Sequence, residues 1–151
     1  DGRPDLVWQH QTAGWEGRWV VNDTTSRSAP HLTPSAAADP GWRIAGVADF
    51  NGDGRPDLVW QHRTAGQLSA WFMNGTAMTS AALFTPSAVA DPHWKIVGVA
   101  DFDSDGRPDL VWQHRTAGWI GVWFMSGTAM TSAALFTPSA VADPDWKIVG
   151  R

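Results

Sequence analysis

The chain has 151 residues, 43% of them apolar and 17% charged, with a net charge of −4. That is enough apolar material for a globular core, and Lys and Arg are too scattered to form the basic stripe that nucleic acid or an anionic membrane would need, so neither is an expected partner. There is no cysteine, which fits either redox compartment, while 11 Trp, 15 Gly and 10 Pro describe a turn-rich chain packed on aromatics.

From the N-terminus, "DGRPDLVWQH" joins an acidic stretch to a short apolar run that reads as a strand, and "WEGRWVVNDTTSRSAPHL" follows a "TAG" turn. "WRIAGVA" then leads into the acidic loop "DFNGDGRPD" at residues 49–57. "DLVWQH", "QLSAWFM" and "AMTSAALF" follow as three more strands, separated by "RTAG" and "NGT". Asn74-Gly75 predicts a type I′ hairpin turn with both residues at positive φ. A connection, "TPSAVADP", precedes "WKIVGVA", a second acidic loop "DFDSDGRPD" at 101–109, and the same run of strands again. The chain closes on a third "DP-x-W" and "WKIVGR".

The period is 52 residues without insertion or deletion, giving copies 1–52, 53–104 and 105–151 of one domain. Residues 53–99 and 105–151 differ only at 67/119, 68/120, 69/121, 70/122, 74/126, 93/145 and 99/151, so the repeat reads as a recent or engineered duplication. No segment shows a convincing helical period. Four short antiparallel strands per repeat predict an all-β fold, a β-propeller with three four-stranded blades per chain. The strand order 2-3-4, 1-2-3-4, 1-2-3-4, 1 leaves an uncompleted blade at each end. The expected remedy is a homo-oligomeric ring in which "WKIVG" of one chain pairs with "DLVWQH" of another. Two chains would give six blades, favoured over nine from three.

Each acidic loop alternates oxygen-bearing residues. Asp49, Asn51, Asp53 and Asp57 fall at loop positions 1, 3, 5 and 9, and the Arg55 carbonyl at position 7; the second loop offers Asp101, Asp103, Asp105, Arg107 and Asp109 in the same roles. A hard cation such as calcium takes six to eight such oxygens, and the expected cofactor is calcium. Trp60, not Glu, stands at position 12, so the loop is not an EF-hand. The competing reading is an Asx-rich turn that satisfies its own amides.

"VADFNGDGRPDLVWQH" and "VADFDSDGRPDLVWQH" resemble the FG-GAP or VCBS type of propeller repeat, found in integrin α-subunit heads, secreted bacterial proteins and a fungal lectin class. The resemblance covers essentially the whole chain. It implies that the loop joins the innermost strand of each blade to the second and binds calcium through the residues named above, and it favours an extracellular or secreted setting. The first copy keeps only Asp1, Arg3 and Asp5, a partial third site.

Nine Trp recur at repeat-equivalent positions and are expected to pack blade on blade. Trp15 and Trp119 do not, since Gln67 stands at their place in the middle copy; partly covered packing is the favoured reading for them, and their expected positions beside a turn also make them candidates for stacking on a sugar ring. His10, His62 and His114 recur in "WQH" and are expected to bond neighbouring backbone. The leading functional expectation is a non-catalytic, calcium-binding, self-assembling scaffold or binding platform. The alternatives are a multivalent carbohydrate-binding lectin, with glycans as partners, and a hydrolase or lyase acting in a central channel.

Overall fold

The structure, a computed structural model, describes residues 6–148 except 11, 14, 23, 24, 29 and 144; at 15, 18–22 and 25–28 it describes the backbone alone. Among the described residues there are twelve strands and no helix. They are β1 (Leu6–Gln9), β2 (Trp15–Asn22), β3 (Thr25–Ser28), β4 (His31–Ala36), β5 (Trp42–Ala48), β6 (Asp57–His62), β7 (Gln67–Asn74), β8 (Ala77–Ala88), β9 (Trp94–Ala100), β10 (Asp109–His114), β11 (Trp119–Ser126) and β12 (Ala129–Ala140).

β5–β8 and β9–β12 are two four-stranded antiparallel units, and β1, β2 and β4 form a first unit with no inner strand among the described residues. Single parallel bridges, Thr33 to Ala77 and Thr85 to Ala129, tie the outermost strands of neighbouring units. The result is an open, mixed, all-β array.

The side-chain period of two decides how the units stack. In "DLVWQH" of β6, Leu58 and Trp60 project to one face and join a cluster with Leu32, Val7 and Ala37 of the first unit. Val59 projects to the other face, where it joins Leu68, Ala70 and Phe84 in packing against Ile96, Leu110 and Trp112 of the third. Both faces are covered, which is why every residue of β6 from Asp57 to Gln61 is buried rather than every second one. β1 has the same sequence pattern but only its Val7 face is covered. Leu6 and Trp8 are 49% and 48% exposed, against 3% and 1% for Leu58 and Trp60.

Four sequence expectations change. The hairpin loop is Gly75–Thr76, because Asn74 pairs with Ala77. Gly75 has φ 65° while neither Asn74 nor Thr76 has a positive value, so the pattern is that of a type II′ turn, not I′. β8 and β12 run through "TPSA", which read as a connection. Pro86 cannot donate to a ladder, and a register shift between Gln67 and Ser69 of the partner strand absorbs it, with a cis Thr85-Pro86 bond. In the diverged first unit the fourth strand is split, β3 forming a hairpin with β2 ahead of β4. Residues 146–148, expected as an inner strand, belong to no ladder among the described residues.

Candidate functional site

The loops between β5 and β6 and between β9 and β10 curl as the alternation of oxygens predicts. Asp49 Oδ1 accepts from the amides of Gly52 (2.7 Å) and Asp53 (3.2 Å), and its Oδ2 from Gly54 (2.8 Å). Asn51 Oδ1 accepts from Asp53 N at 3.0 Å and Asp53 Oδ1 from Arg55 N at 2.8 Å. The second loop repeats the pattern with Asp101, Asp103 and Asp105. Gly52 and Ser104 occupy equivalent left-handed positions, φ 76° and 65°, so a serine here adopts a conformation that favours glycine.

Asp57 and Asp109 have a second task. Asp57 is fully buried; its Oδ2 accepts from Phe50 N and its Oδ1 from Met73 N, both at 2.9 Å, which fastens the loop to the third strand of its own unit. Asp109 does the same with Phe102 and Met125. Burial pushes the Asp57 carboxyl above its ordinary value against the pull of those two amides, and the charges of Asp53 and Asp49 push it further.

Carboxylate oxygens of Asp101, Asp103 and Asp109 all lie within 4.8 Å of one another. A calcium shell with oxygens at roughly 2.3–2.6 Å spans about twice that, so these three side chains fit around one ion. Asp105 is not part of that group. In the first loop Asn51 replaces the acid at position 3. Asp1, Arg3 and Asp5 lie outside the described residues. A cleft of about 690 Å³ separates the two loops, with Asp49, Asp101 and Arg107 on its walls, and Arg107 Nη1 donates to Ser126 Oγ at 2.7 Å.

Of the two tryptophans singled out, Trp15 has its backbone in β2 while its side chain lies outside the described ones. Trp119 is 49% exposed and leans on Trp94 and His114, ring centroids 6.3 and 5.8 Å away. A cleft of about 530 Å³ lined by Trp94, Trp112, Trp123 and Asp91 lies between the second and third units. The repeated His behaves as expected on one side: Ala65 N and Ala117 N donate to Nδ1 of His62 and His114, each at 3.0 Å. On the other side Nε2 meets an unforeseen partner, Asp39 at 3.0 Å and Asp91 at 2.9 Å.

Asp91, His93 and His114 bring a carboxylate and two imidazoles together. A transition metal does not suit them. The Ala117 amide makes His114 Nδ1 an acceptor, which puts the proton of the neutral ring on Nε2, the very atom a metal would take. Asp91 is therefore a hydrogen-bond acceptor for His114, and His93 adds a second contact at 2.9 Å.

The residue that sequence reasoning missed is the glutamine of "WQH". Gln61 Nε2 donates to Trp94 O at 2.8 Å and its Oε1 accepts from Ile96 N at 3.2 Å. Gln9 grips Trp42 and Ile44 in the same way, and Gln113 grips Trp146 and Ile148. A threefold repeat of Gln at one strand position was the available signal.

Stacked all-β units with an acidic loop at each inner hairpin define a tandem β-repeat protein. The chain belongs to the FG-GAP-like repeat family, whose pattern matches residues 1–60 and 49–112. No curated protein and no solved structure matches it.

Proposed function

We propose that the chain is a non-catalytic, calcium-binding β-propeller module that closes into a ring with a second copy and serves as a scaffold or binding platform outside the cell. One observation carries the reading: the Leu6 and Trp8 face of β1 is uncovered, while the same face of β6 and of β10 is buried by the preceding unit. The opposite flank of the array offers the matching part. There Gln113 holds Trp146 and Ile148 where Gln61 holds β9, and Trp146 is 70% exposed.

The register of the complete units supports one form of the joint. Trp42 pairs with His62, Arg43 with Gln61 and Ile44 with Trp60. By the 52-residue repeat, Trp146 of one copy pairs with His10 of the next, Lys147 with Gln9 and Ile148 with Trp8. Such a head-to-tail contact closes into a ring when the rotation permits; two copies give six blades, inside the usual range of about four to eight.

Calcium would be held by Asp101, Asp103, Asp109 and their neighbours, and by Asp49, Asn51, Asp53 and Asp57 in the first loop. It would supply a cross-link and neutralise carboxylates that otherwise repel. Light scattering in calcium is expected to return the mass of two chains; a stable monomer overturns the ring. Isothermal titration with calcium chloride tests the loops, and absence of heat at both overturns them.

A second reading, a carbohydrate-binding propeller, is favoured by the exposed face of Trp119 close to the cleft that Trp94, Trp123 and Asp91 line. Apolar faces beside a carboxylate suit a pyranose. A glycan array separates the readings, since silence across diverse glycans removes the lectin.

A further inference from the structure

The face that the third unit turns to the second carries three indoles, and it does not close. Paired residues of an antiparallel ladder project to the same side, so the pairs Trp94–His114, Ile96–Trp112, Gly121–Trp112 and Trp123–Leu110 put Trp94, Trp112 and Trp123 on one face. It is the face toward the second unit: Trp112 is buried in a cluster with Val59, Leu68 and Phe84, and Trp94 and Trp123 pack against that cluster while only partly buried. Gly121, opposite Trp112, has no side chain to offer where Ser69 stands opposite Trp60 in the second unit. Across the gap, the chain leaving β8 presents Ala88 and Ala90, too short to fill it. The cleft of about 530 Å³ is what remains, a volume within the range of small-molecule sites.

Asp91 is the one charged residue on its walls. His114 first, then the amide and ring of His93, hold its carboxyl well below the usual carboxylate range, so it is ionised at neutral pH. Its oxygens are already engaged. Oδ1 accepts from His93 N at 2.8 Å and from His93 Nδ1 at 2.9 Å, and Oδ2 accepts from His114 Nε2 at 2.9 Å. Three donors on about four lone-pair sites leave little for a ligand that must donate hydrogen bonds of its own. Coulomb attraction, by contrast, needs no vacant lone pair. The Trp112 N–H is sealed in the wall, so the cleft meets that residue's ring rather than its donor. The cations on the adjoining strands are turned elsewhere: Lys95 Nζ donates to Arg63 O at 2.6 Å, and Arg43 Nη2 to Ile96 O at 2.9 Å and to Gln61 Oε1.

Indole faces, alkyl walls and a carboxylate whose lone pairs are occupied suit a cation that carries no N–H. We propose that the cleft between the second and third units binds a small quaternary ammonium cation of the choline class, its methyl groups against Trp94 and Trp123 and its charge toward Asp91. Ring faces attract such a cation through their quadrupole, the more so where water is excluded. The second reading places a sugar on the exposed face of Trp119 at the rim; the interior calls for this different chemistry. The site lies within one chain and depends neither on calcium nor on a second copy.

Isothermal titration of the whole chain with choline chloride tests the site, at about pH 8, above the ordinary histidine range, with ionic strength held constant by sodium chloride. Saturable binding is expected. Neopentyl carbinol, in which carbon replaces the ammonium nitrogen, keeps the shape without the charge and is expected to bind about tenfold more weakly or worse. Trp94→Leu removes one ring face yet keeps the backbone carbonyl that Gln61 holds, and should weaken choline by a similar factor; Trp94→Phe should weaken it less. Asp91→Asn should narrow the gap between choline and its neutral isostere. Ala90 is exposed and outside any ladder, so Ala90→Leu fills the cleft and should abolish binding with the Tm unchanged. No saturable heat, one constant shared by choline and neopentyl carbinol, or the wild-type constant in both Trp94→Leu and Ala90→Leu overturns the proposal. Methyl glucopyranoside binding more tightly than choline, and lost in Ala90→Leu, would assign the cleft to the second reading and overturn it as well.

Discussion

Gln61 and Trp94 sit 33 residues apart, and the side-chain amide of the first donates to the backbone carbonyl of the second at 2.8 Å. With Ile96 N on its Oε1, Gln61 acts as an extra peptide group belonging to the neighbouring unit's inner strand. Gln61 is fully buried and Ile96 nearly so, which leaves the side-chain amide and the Ile96 N–H no water to turn to. Gln61→Leu keeps much of the volume but strands the Trp94 carbonyl and the Ile96 amide and takes one acceptor from Arg43. The expected loss is about 3 kcal/mol, or a fall in Tm of roughly 6–12 °C by thermal denaturation. A loss no larger than that of an exposed Gln67→Leu would show the clasp to be incidental.

The strands were legible because each apolar run is bounded by turn chemistry, and β9 and β10 fall on the expected residues, "WKIVGVA" and "DLVWQH". The clasp was not, because Gln61 only becomes structural when a strand 33 residues ahead arrives against it; nothing in its local pattern distinguishes it from a solvated strand-end residue. The end of β8 was misread for a local reason, since Pro86 signals a break and the register shift that accommodates it is a property of the pair. In the acidic loops the spacing of oxygens was readable. That Asp57 also fastens Met73 was not, because the contact spans 16 residues and depends on the β6–β7 hairpin.

Asp57 and Asp103 separate structure from metal binding. Asp57 accepts a buried amide on each oxygen, so Asp57→Asn turns one acceptor into a donor facing an N–H. It is expected to cost about 1–3 kcal/mol even in a chelator. Asp103 is exposed and accepts from Asp105 N through Oδ1 alone, which Asn can imitate, as Asn51 does in the first loop. Asp103→Asn should leave the Tm in chelator unchanged while lowering calcium affinity several-fold by titration calorimetry. Equal behaviour of the two variants would sink this division of labour.

Glu16 and Asp91 predict opposite slopes with pH. Glu16 is buried where the other units carry Leu68 and Ile120, and burial raises its carboxyl despite hydrogen bonds from Ala37 and Gln9. A raised acid keeps its proton longer folded than unfolded, so stability falls as pH rises from about 4 through the raised value. Glu16→Leu should abolish that fall and raise Tm at neutral pH. Asp91 is held well below the usual carboxylate range by His114 first and by the His93 amide and ring next. Its contribution is complete above about pH 4 and is lost as pH drops toward the lowered value, so Asp91→Asn should flatten the acid limb. Melting curves across pH check both; parallel shifts with unchanged slopes would contradict them.

Trp8 tests the ring. Within the chain, Val7 and Gln9 bind β1 to the second unit, while Leu6 and Trp8 face away from it. Trp8→Glu leaves the contacts of Val7 and Gln9 with the second unit in place and puts a charge on the half-exposed face of β1, at the cost of the contact that Trp8 makes within the chain. Burying Leu6 and Trp8 would contribute about 1.5–3 kcal/mol each, and a two-chain ring contains two such joints, so a charge at both should prevent closure. Light scattering is expected to give two chains for the wild type and one for Trp8→Glu. Asp143→Asn should have a weaker effect of the same sign, because by the repeat Asp143 would accept from His10 of the second copy as Asp39 does from His62. If Trp8→Glu kept the wild-type mass, assembly would have to use another surface than the Leu6 and Trp8 face, and the ring with that joint would be overturned.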